Sequence, residues 1–567
     1  MQALGNRDIA VVAHAPASRG FGARPLRAVN VRSLEMVGVL AIALVATGLR
    51  LLTRSTYLFN WDSIQFALGV QRFDIAAHRP HPPGYLGYIL LGRLFTHLSG
   101  GSAEDGLVLL SALASGAVVL IAYCAARDIW GRGAGWTAAL VFLSSPLAWI
   151  YGSVALTYAL DPLFAVLVLW MSYRACRGDR RSLILAAAVA GLAGAIRPTD
   201  EAFLVAPLLW AGWRAWRSGG RGTVLAAAGT LVATTLAWLG PLLIASGGLD
   251  RYLLVSKELS DRASNTSAVW KTGLYGLNLN GGAVLIGVAM AFGVFVPIGL
   301  SYAVVRRLPR LGIRRPGIDR DYAMLALALL TPALAVYVLV HIGQLGYILL
   351  LLPALALPVG VAVDGLVRAA FPAGRRQVAR VGILAACVVV NAAIFALPAG
   401  GMRDQVVEHD RYAGSLITAV REYDPSSTVL LTSAEAQGSY RLAQYYLGSY
   451  PVVALGTDRR SHAGEMFSTR GPAPEYDLAR FDRAGTVAFP AGTRTVLVLD
   501  QGALDLVGDR SRVSTLKFGD GWRLWVMHPA STDTPVAAGR WVYLRARDCP
   551  CRGASSTRPV PAPGTPL

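Results

Sequence analysis

The chain has 567 residues, of which 54% are hydrophobic and only 15% charged, with a mean hydropathy of +0.47. A soluble protein of this length needs a larger charged surface, so that class is excluded. The net charge of +19 does not point to nucleic acid: the arginines fall in short clusters between apolar runs, and no basic face interleaved with stacking aromatics stands out.

Residues 1–33 are polar and contain arginine, and read as a cytoplasmic tail ahead of an uncleaved first anchor. Apolar runs long enough to cross a bilayer then recur at 34–52, 105–126, 133–151, 154–173, 183–197, 200–213, 223–245, 281–305, 322–340, 345–367 and 380–398. The fifth and sixth are short and meet at Arg197-Pro198-Thr199-Asp200, so they read as two thin spans or one re-entrant pair. Arginines cluster at 127–132, 174–181, 214–221, 306–320 and 368–380. With these spans all five loops share the side of the N-terminal tail, which the positive-inside bias makes cytoplasmic. Of the opposite loops, the first, 53–106, carries Trp61-Asp62-Ser63 and His78-Arg79-Pro80-His81-Pro82-Pro83-Gly84-Tyr85. Its stretch from Tyr85 to Leu98 reads as a helix at the outer membrane surface. A second long outer segment runs from Gly247 to Asn280.

After about residue 399 charges of both signs and turn residues appear. Thr428–Thr432, Pro451–Leu455 and Thr493–Leu499 read as strands, Glu435–Tyr446 as a helix, and Leu516–Val526 and Arg540–Leu544 as further strands. Residues 400–550 are therefore expected to form a small extracytoplasmic α/β domain, and the Pro-rich 551–567 a disordered tail. Cys124, Cys176 and Cys387 read as core residues, and Cys549-Pro550-Cys551 is too closely spaced to bridge comfortably.

Ionisable groups near the outer edge of a bundle are costly unless useful. Asp62 follows the first span, Asp161 precedes Pro162 at the outer end of the fourth, and Arg197 and Asp200 separate the fifth from the sixth. A carboxylate can take a proton from an attacking hydroxyl, and an arginine can grip a phosphate with two parallel hydrogen bonds. Each group also has a plain structural reading. Asp62 with Gln65 forms a capping-box pattern, Asp161 can cap a span, Arg197 can snorkel from a helix end, and His78 and His81 can be loop histidines. Their joint placement on one face favours chemistry.

The stretch Asn60-Trp61-Asp62-Ser63, then His78 to Tyr85, resembles the first outer loop of bacterial polyprenyl-phosphate-dependent glycosyltransferases, relatives of protein O-mannosyltransferases and of the aminoarabinose transferase of lipid A. Ser153 to Asp161, Gly194-Ala-Ile-Arg197-Pro and His341-Ile-Gly-Gln-Leu-Gly-Tyr347 fit the same class. The resemblance covers residues 34–400 and implies a GT-C fold: an all-α polytopic bundle of about eleven transmembrane helices with the small C-terminal α/β domain. It implies a polyprenyl-phosphate-linked sugar as donor, Asp62 as catalytic base, Asp161 as a second active-site carboxylate, and His81 where the aminoarabinose transferases carry a phosphate-contacting lysine. Arg197 or Arg79 would take over that contact, with His78, Tyr85, Asp200 and His341 as further candidates. A divalent metal is compatible with these carboxylates and histidines, although no ligand spacing compels it.

The expectation is thus an inverting sugar transfer at the outer face of a bacterial inner membrane, onto a protein, lipid or glycan acceptor, with membrane lipids and no nucleic acid as partners. The alternative is a secondary transporter or lipid flippase, which would place ionisable groups near the midplane on broken helices in repeated halves.

Overall fold

The structure, a computed structural model, describes residues 31–305, 318–397, 401–433 and 437–457, and beyond them 476–479, 486–489, 492–505, 507, 510–529, 533–535 and 541–546. The expected tail up to residue 30, the arginines from 306 to 315, Cys549, Cys551 and the tail 551–567 lie outside the described residues.

The apolar runs become helices in the expected order. α1 (Val31–Leu52) is followed by α2 (Trp61–Gln71) and α3 (Leu86–Ser99), both within the first long loop. Then come α4 (Ala103–Trp130), α5 (Arg132–Ser144), α6 (Pro146–Gly152), α7 (Asp161–Cys176), α8 (Arg180–Ile196), α9 (Pro198–Arg217) and α10 (Arg221–Ala245). α11 (Leu249–Ser267), α12 (Val269–Thr272), α13 (Leu274–Phe292), α14 (Phe295–Val305), α15 (Arg320–Leu339), α16 (Leu352–Ala356), α17 (Val359–Ala370) and α18 (Arg376–Ala396) complete the bundle. Among the described residues eight helical segments are long and apolar enough to cross a membrane, or nine with the bent pair α5–α6. The distance from eleven is made up by α8, which has 17 residues, and α9, which carries Asp200, Glu201, Arg214 and Arg217. The run 281–305 is not one helix: Gly293, at φ 53°, separates α13 from α14, and the Asn391 amide bonds both Phe292 O and Val294 N at the break.

The arginine-rich loops gather at one end of the bundle. Arg380 donates to Thr137, Trp170 to Asp128, and Arg214 pairs with Asp321. These contacts tie the ends of α4, α5, α7, α9, α15 and α18 together. Between helices, small residues let backbones approach, as membrane packing requires. A Cβ on Gly116 would strike Thr47 of α1, and one on Gly191 would strike Thr234 of α10.

The 59° bend between α5 and α6 has an identifiable cause. Pro146 has no N–H to give Phe142 O, so that carbonyl is left open. Arg50, fully buried on α1, fills it, donating to Phe142 O at 3.1 Å and Leu143 O at 2.8 Å. The bend sends α6 toward a short 3₁₀ turn, Thr157–Ala159, that presents Tyr158.

α3 is the helix expected from Tyr85 to Leu98, with Leu90, Leu94 and Leu98 uncovered along one stripe. Arg93 on its other face donates to Val70 O and so caps the end of α2. The intervening loop is tucked against α2: a Cβ on Gly69 would sit 2.9 Å from Pro80.

Beyond the bundle lie α19 (Met402–Arg421), β1 (Thr428–Ser433), α20 (Gln437–Tyr446), β2 (Val452–Thr457), β3 (Tyr476–Ala479), β4 (Thr486–Ala488), β5 (Thr495–Val498), α21 (Gln501–Asp505), β6 (Val513–Phe518), β7 (Trp522–Met527), β8 (Asp533–Pro535) and β9 (Trp541–Ala546). Seven strands form one sheet in the order β3-β9-β2-β1-β5-β7-β6, with β1 parallel to β2 and β5. The run 516–526 is a hairpin rather than one strand, turning at Gly519 and Gly521, both at positive φ. Along β1 side chains alternate: Leu430 joins the same apolar cluster as the bundle helices, while Val429 and Leu431 join a second cluster on the far face.

Candidate active site

α2 begins at Trp61, and its N-cap is Asn60, whose side chain accepts from Asp62 N at 2.9 Å. The capping-box reading of Asp62 is therefore corrected. Asn60 satisfies the orphan amide, and the Asp62 carboxylate is free for other contacts. One oxygen accepts from the Gln344 amide at 2.8 Å, and the other lies 3.6 Å from His81 Nδ1, beyond hydrogen-bond range. Its side chain is 19% exposed, so it keeps an open face.

His81 is held by the loop that follows α2. Asp74 pairs its backbone with Arg79 and accepts from Ala76 N and Ala77 N, closing a tight turn. His78 and Arg79 are buried in that turn. His81 Nε2 lies 3.2 Å from Tyr85 OH, and Phe66 packs on both rings. Burial pushes the imidazole below its usual range; Asp62 opposes this, while Arg441 and Arg197 reinforce it. The shift favours the neutral, hydrogen-bonding form of the ring.

The second group is a buried ion cluster. Arg197 occupies the joint between α8 and α9, in extended conformation, because Pro198 starts the new helix. Its Nη1 donates to Asp161 Oδ2 at 2.7 Å, and its Nε lies 3.8 Å from Asp200 Oδ1. All three side chains are 3% exposed or less, so the snorkelling reading of Arg197 is corrected. Asp161 is the first residue of α7 but commits its carboxylate to Arg197. The guanidinium lies 4.5 Å from the Tyr158 ring centre and 4.0 Å from that of Tyr347. Tyr337 packs edge-on to Tyr347, and Tyr151 to Tyr158. Gly346 makes this possible: a Cβ there would meet the Tyr158 ring at 2.5 Å.

The segment His341–Tyr347 joins the two groups, with Gln344 on Asp62 and Tyr347 on Arg197. His341 turns elsewhere, to Ser267 Oγ at 2.7 Å. Asp62, His81, Tyr85, Asp161, Arg197 and Asp200 thus converge, whereas His341 supports the segment from behind. Sequence reasoning missed Gln344, Tyr158, Tyr347 and Arg441. Gln344 and Tyr347 lay inside a quoted motif in which the histidine drew attention. Arg441, fully buried between apolar neighbours on α20, was signalled only by a charge on an apolar helix face. Among the described residues no three His, Cys, Asp or Glu side chains converge as a metal-holding group.

Removing Arg197 would leave two buried carboxylates facing each other. Arg197→Ala is expected to cost about 3–5 kcal/mol, read as a fall in Tm in detergent, with partial recovery in Arg197→Ala/Asp161→Asn. An unchanged Tm in the single variant would contradict the ion cluster. For His81 the sign is the reverse of a salt-bridged imidazole. Because its folded pKa is lowered, the unfolded chain takes up the proton first, and stability falls as pH drops through ~6.5. His81→Gln should flatten that part of the Tm–pH curve, and a curve unaltered by the substitution would contradict the assignment.

Residues 80–243 match the family model described as dolichyl-phosphate-mannose-protein mannosyltransferase. No curated protein sequence matches the chain. Among solved structures, ArnT from Cupriavidus metallidurans bound to undecaprenyl phosphate superposes with a TM-score of 0.56 at 14% identity, over 89% of this chain and 100% of its own. The apo state of the same protein gives 0.53 at 15% identity, over 88% and 98%. The matched segment contains His81, Asp161, Arg197 and Asp200, and the superposition takes in bundle and sheet alike. The chain thus has the GT-C membrane fold that ArnT also has, and residues 80–243 within it are similar to the mannosyltransferase family model.

Proposed function

We propose that the protein transfers a sugar from a polyprenyl-phosphate donor to an acceptor hydroxyl at the extracytoplasmic membrane face. The supporting observation is the state of Asp62: relieved of capping by Asn60, oriented by Gln344, and open on one side beside the buried ion cluster. In the reaction the acceptor oxygen forms the new bond to the anomeric carbon while the carbon–oxygen bond to phosphate breaks. The hydroxyl proton passes to the Asp62 carboxylate, and the polyprenyl phosphate leaves with the electron pair. A single displacement of this kind inverts the anomeric centre.

Arg197 is committed to Asp161 and Asp200, which offset its charge, so we assign it the role of fixing Tyr158 and Tyr347. To Arg441 and Arg79, buried in α20 and the 72–85 loop, we assign the positive potential at the leaving phosphate. The orientation follows from the two ends of the bundle. The arginine-rich end is assigned to the cytoplasm of a bacterial inner membrane, and the Asp62 end, where the sheet sits, to the outside.

Asp62→Asn keeps the shape and the Gln344 neighbour but removes the base. In vesicles supplied with polyprenyl-phosphate sugars it should lower transfer by at least ~10²-fold with Tm little changed. Full activity in that variant would remove the mechanism. Lipid or solute translocation by the wild type with no glycosylated product would favour a transporter instead.

A further inference from the structure

The eight residues between α1 and α2, Thr53 to Asn60, have no regular structure of their own, yet four consecutive ones are held from a distant part of the chain. Asp410, on α19, accepts from Ser55 Oγ at 2.7 Å, from Thr56 N at 2.7 Å and from Tyr57 N at 3.2 Å. Tyr446, on α20, accepts from Leu58 N at 2.7 Å and donates to Glu104 of α4 at 2.9 Å. Phe59 packs edge-on to His409, and a Cβ on Gly414 would press on the Tyr57 ring at 3.1 Å. From the bundle side Ser55 N bonds Ser153 O. After Asn60 the helical amide of Asp62 is capped.

A carboxylate that accepts three hydrogen bonds from consecutive residues fixes their backbone as a ligand would. Burial raises the Asp410 carboxyl, but the neighbouring His409 and the bonds from Thr56, Ser55 and Tyr57 outweigh it, and the group stays below the usual carboxylate range. It is therefore ionised wherever the enzyme works. A base must be held to within a fraction of an ångström to be effective, and a loop gains that precision only from such support.

We propose that Asp410, assisted by Tyr446, is a positioning residue for Asp62, which makes the C-terminal α/β domain part of the catalytic apparatus rather than an appendage. This rests on the transfer reading of Asp62. The consequence is specific: loosening the Asp410 clamp displaces the base without touching the Arg197 cluster, so turnover falls while donor binding is kept.

The test compares wild type, Asp410→Ala, Asp410→Asn, Tyr446→Phe and the neighbouring control Arg411→Ala, which breaks only an exposed pair with Asp520. Three quantities are read on the full-length protein: hydrogen exchange of the amides of residues 56–58, kcat, and binding of undecaprenyl phosphate. Asp410→Ala should exchange faster at Thr56 and Tyr57 and lose at least ~10-fold in kcat, with phosphate-lipid affinity within about twofold of wild type. Asp410→Asn, which keeps one acceptor oxygen, should recover part of kcat, and Tyr446→Phe should speed exchange at Leu58. Arg411→Ala should match the wild type throughout. Unchanged exchange in Asp410→Ala would overturn the clamp. Faster exchange with unchanged kcat, or kcat lost together with lipid binding, would overturn the positioning role. A wild type inactive on every donor would instead defeat the transfer reading, while the exchange data would still decide whether the clamp exists.

Discussion

Arg197 sits where two helices meet, takes Asp161 as its nearest partner and Asp200 as a second, and has two tyrosine rings against its face. A guanidinium removed from water this completely survives only with such partners. Each partner comes from a different element: Asp161 from the start of α7, Asp200 from α9, Tyr158 from the turn after α6, and Tyr347 from the segment after α15. The cluster therefore fixes the mutual geometry of five parts of the bundle at one end. Its position depends on the bend at Pro146, and that bend depends on Arg50 supplying the missing donor.

Asp62 belongs to a second, shallower layer. It is linked to the buried cluster through Gln344 and Tyr347, three residues apart on one segment, and to the sheet through the clamped loop ahead of α2. The two layers suit different tasks. A deep ion cluster holds helices in place; a half-open carboxylate is reachable from outside. The division explains why, of the site carboxylates Asp62, Asp161 and Asp200, only Asp62 is appreciably exposed.

Fold class, span order and the polar end of the bundle were legible because they rest on long apolar runs and on arginine spacing, which composition alone reveals. The strand at 428–433 and the helix ending at Tyr446 were legible for the same reason, by period. Less could be read where a contact crosses the chain. Asn60 rather than Asp62 caps α2, a choice between nearby residues with equal capping ability. Arg197 looked like a snorkelling cation because its partner lies 36 residues away. α19 escaped notice among its charges, although Val406, Ala413, Ile417 and Val420 mark a buried stripe at helical spacing. The hairpin at Gly519–Gly521 hid inside one apolar run. Asp410 carries no local signal of its contacts and Arg441 only its charge on an apolar helix face; the fold brings α19 and α20 to the first loop.

In the proposed mechanism, Asp62 faces the reacting sugar while Arg197 remains with its carboxylates. A density map of the protein with bound polyprenyl phosphate tests this most directly. Phosphate is expected beside Asp62 and His81, at the end of the bundle that carries the sheet, with the Arg197–Asp161 pair intact. Phosphate seated at the arginine-rich end, or on Arg197 in place of Asp161, would contradict it.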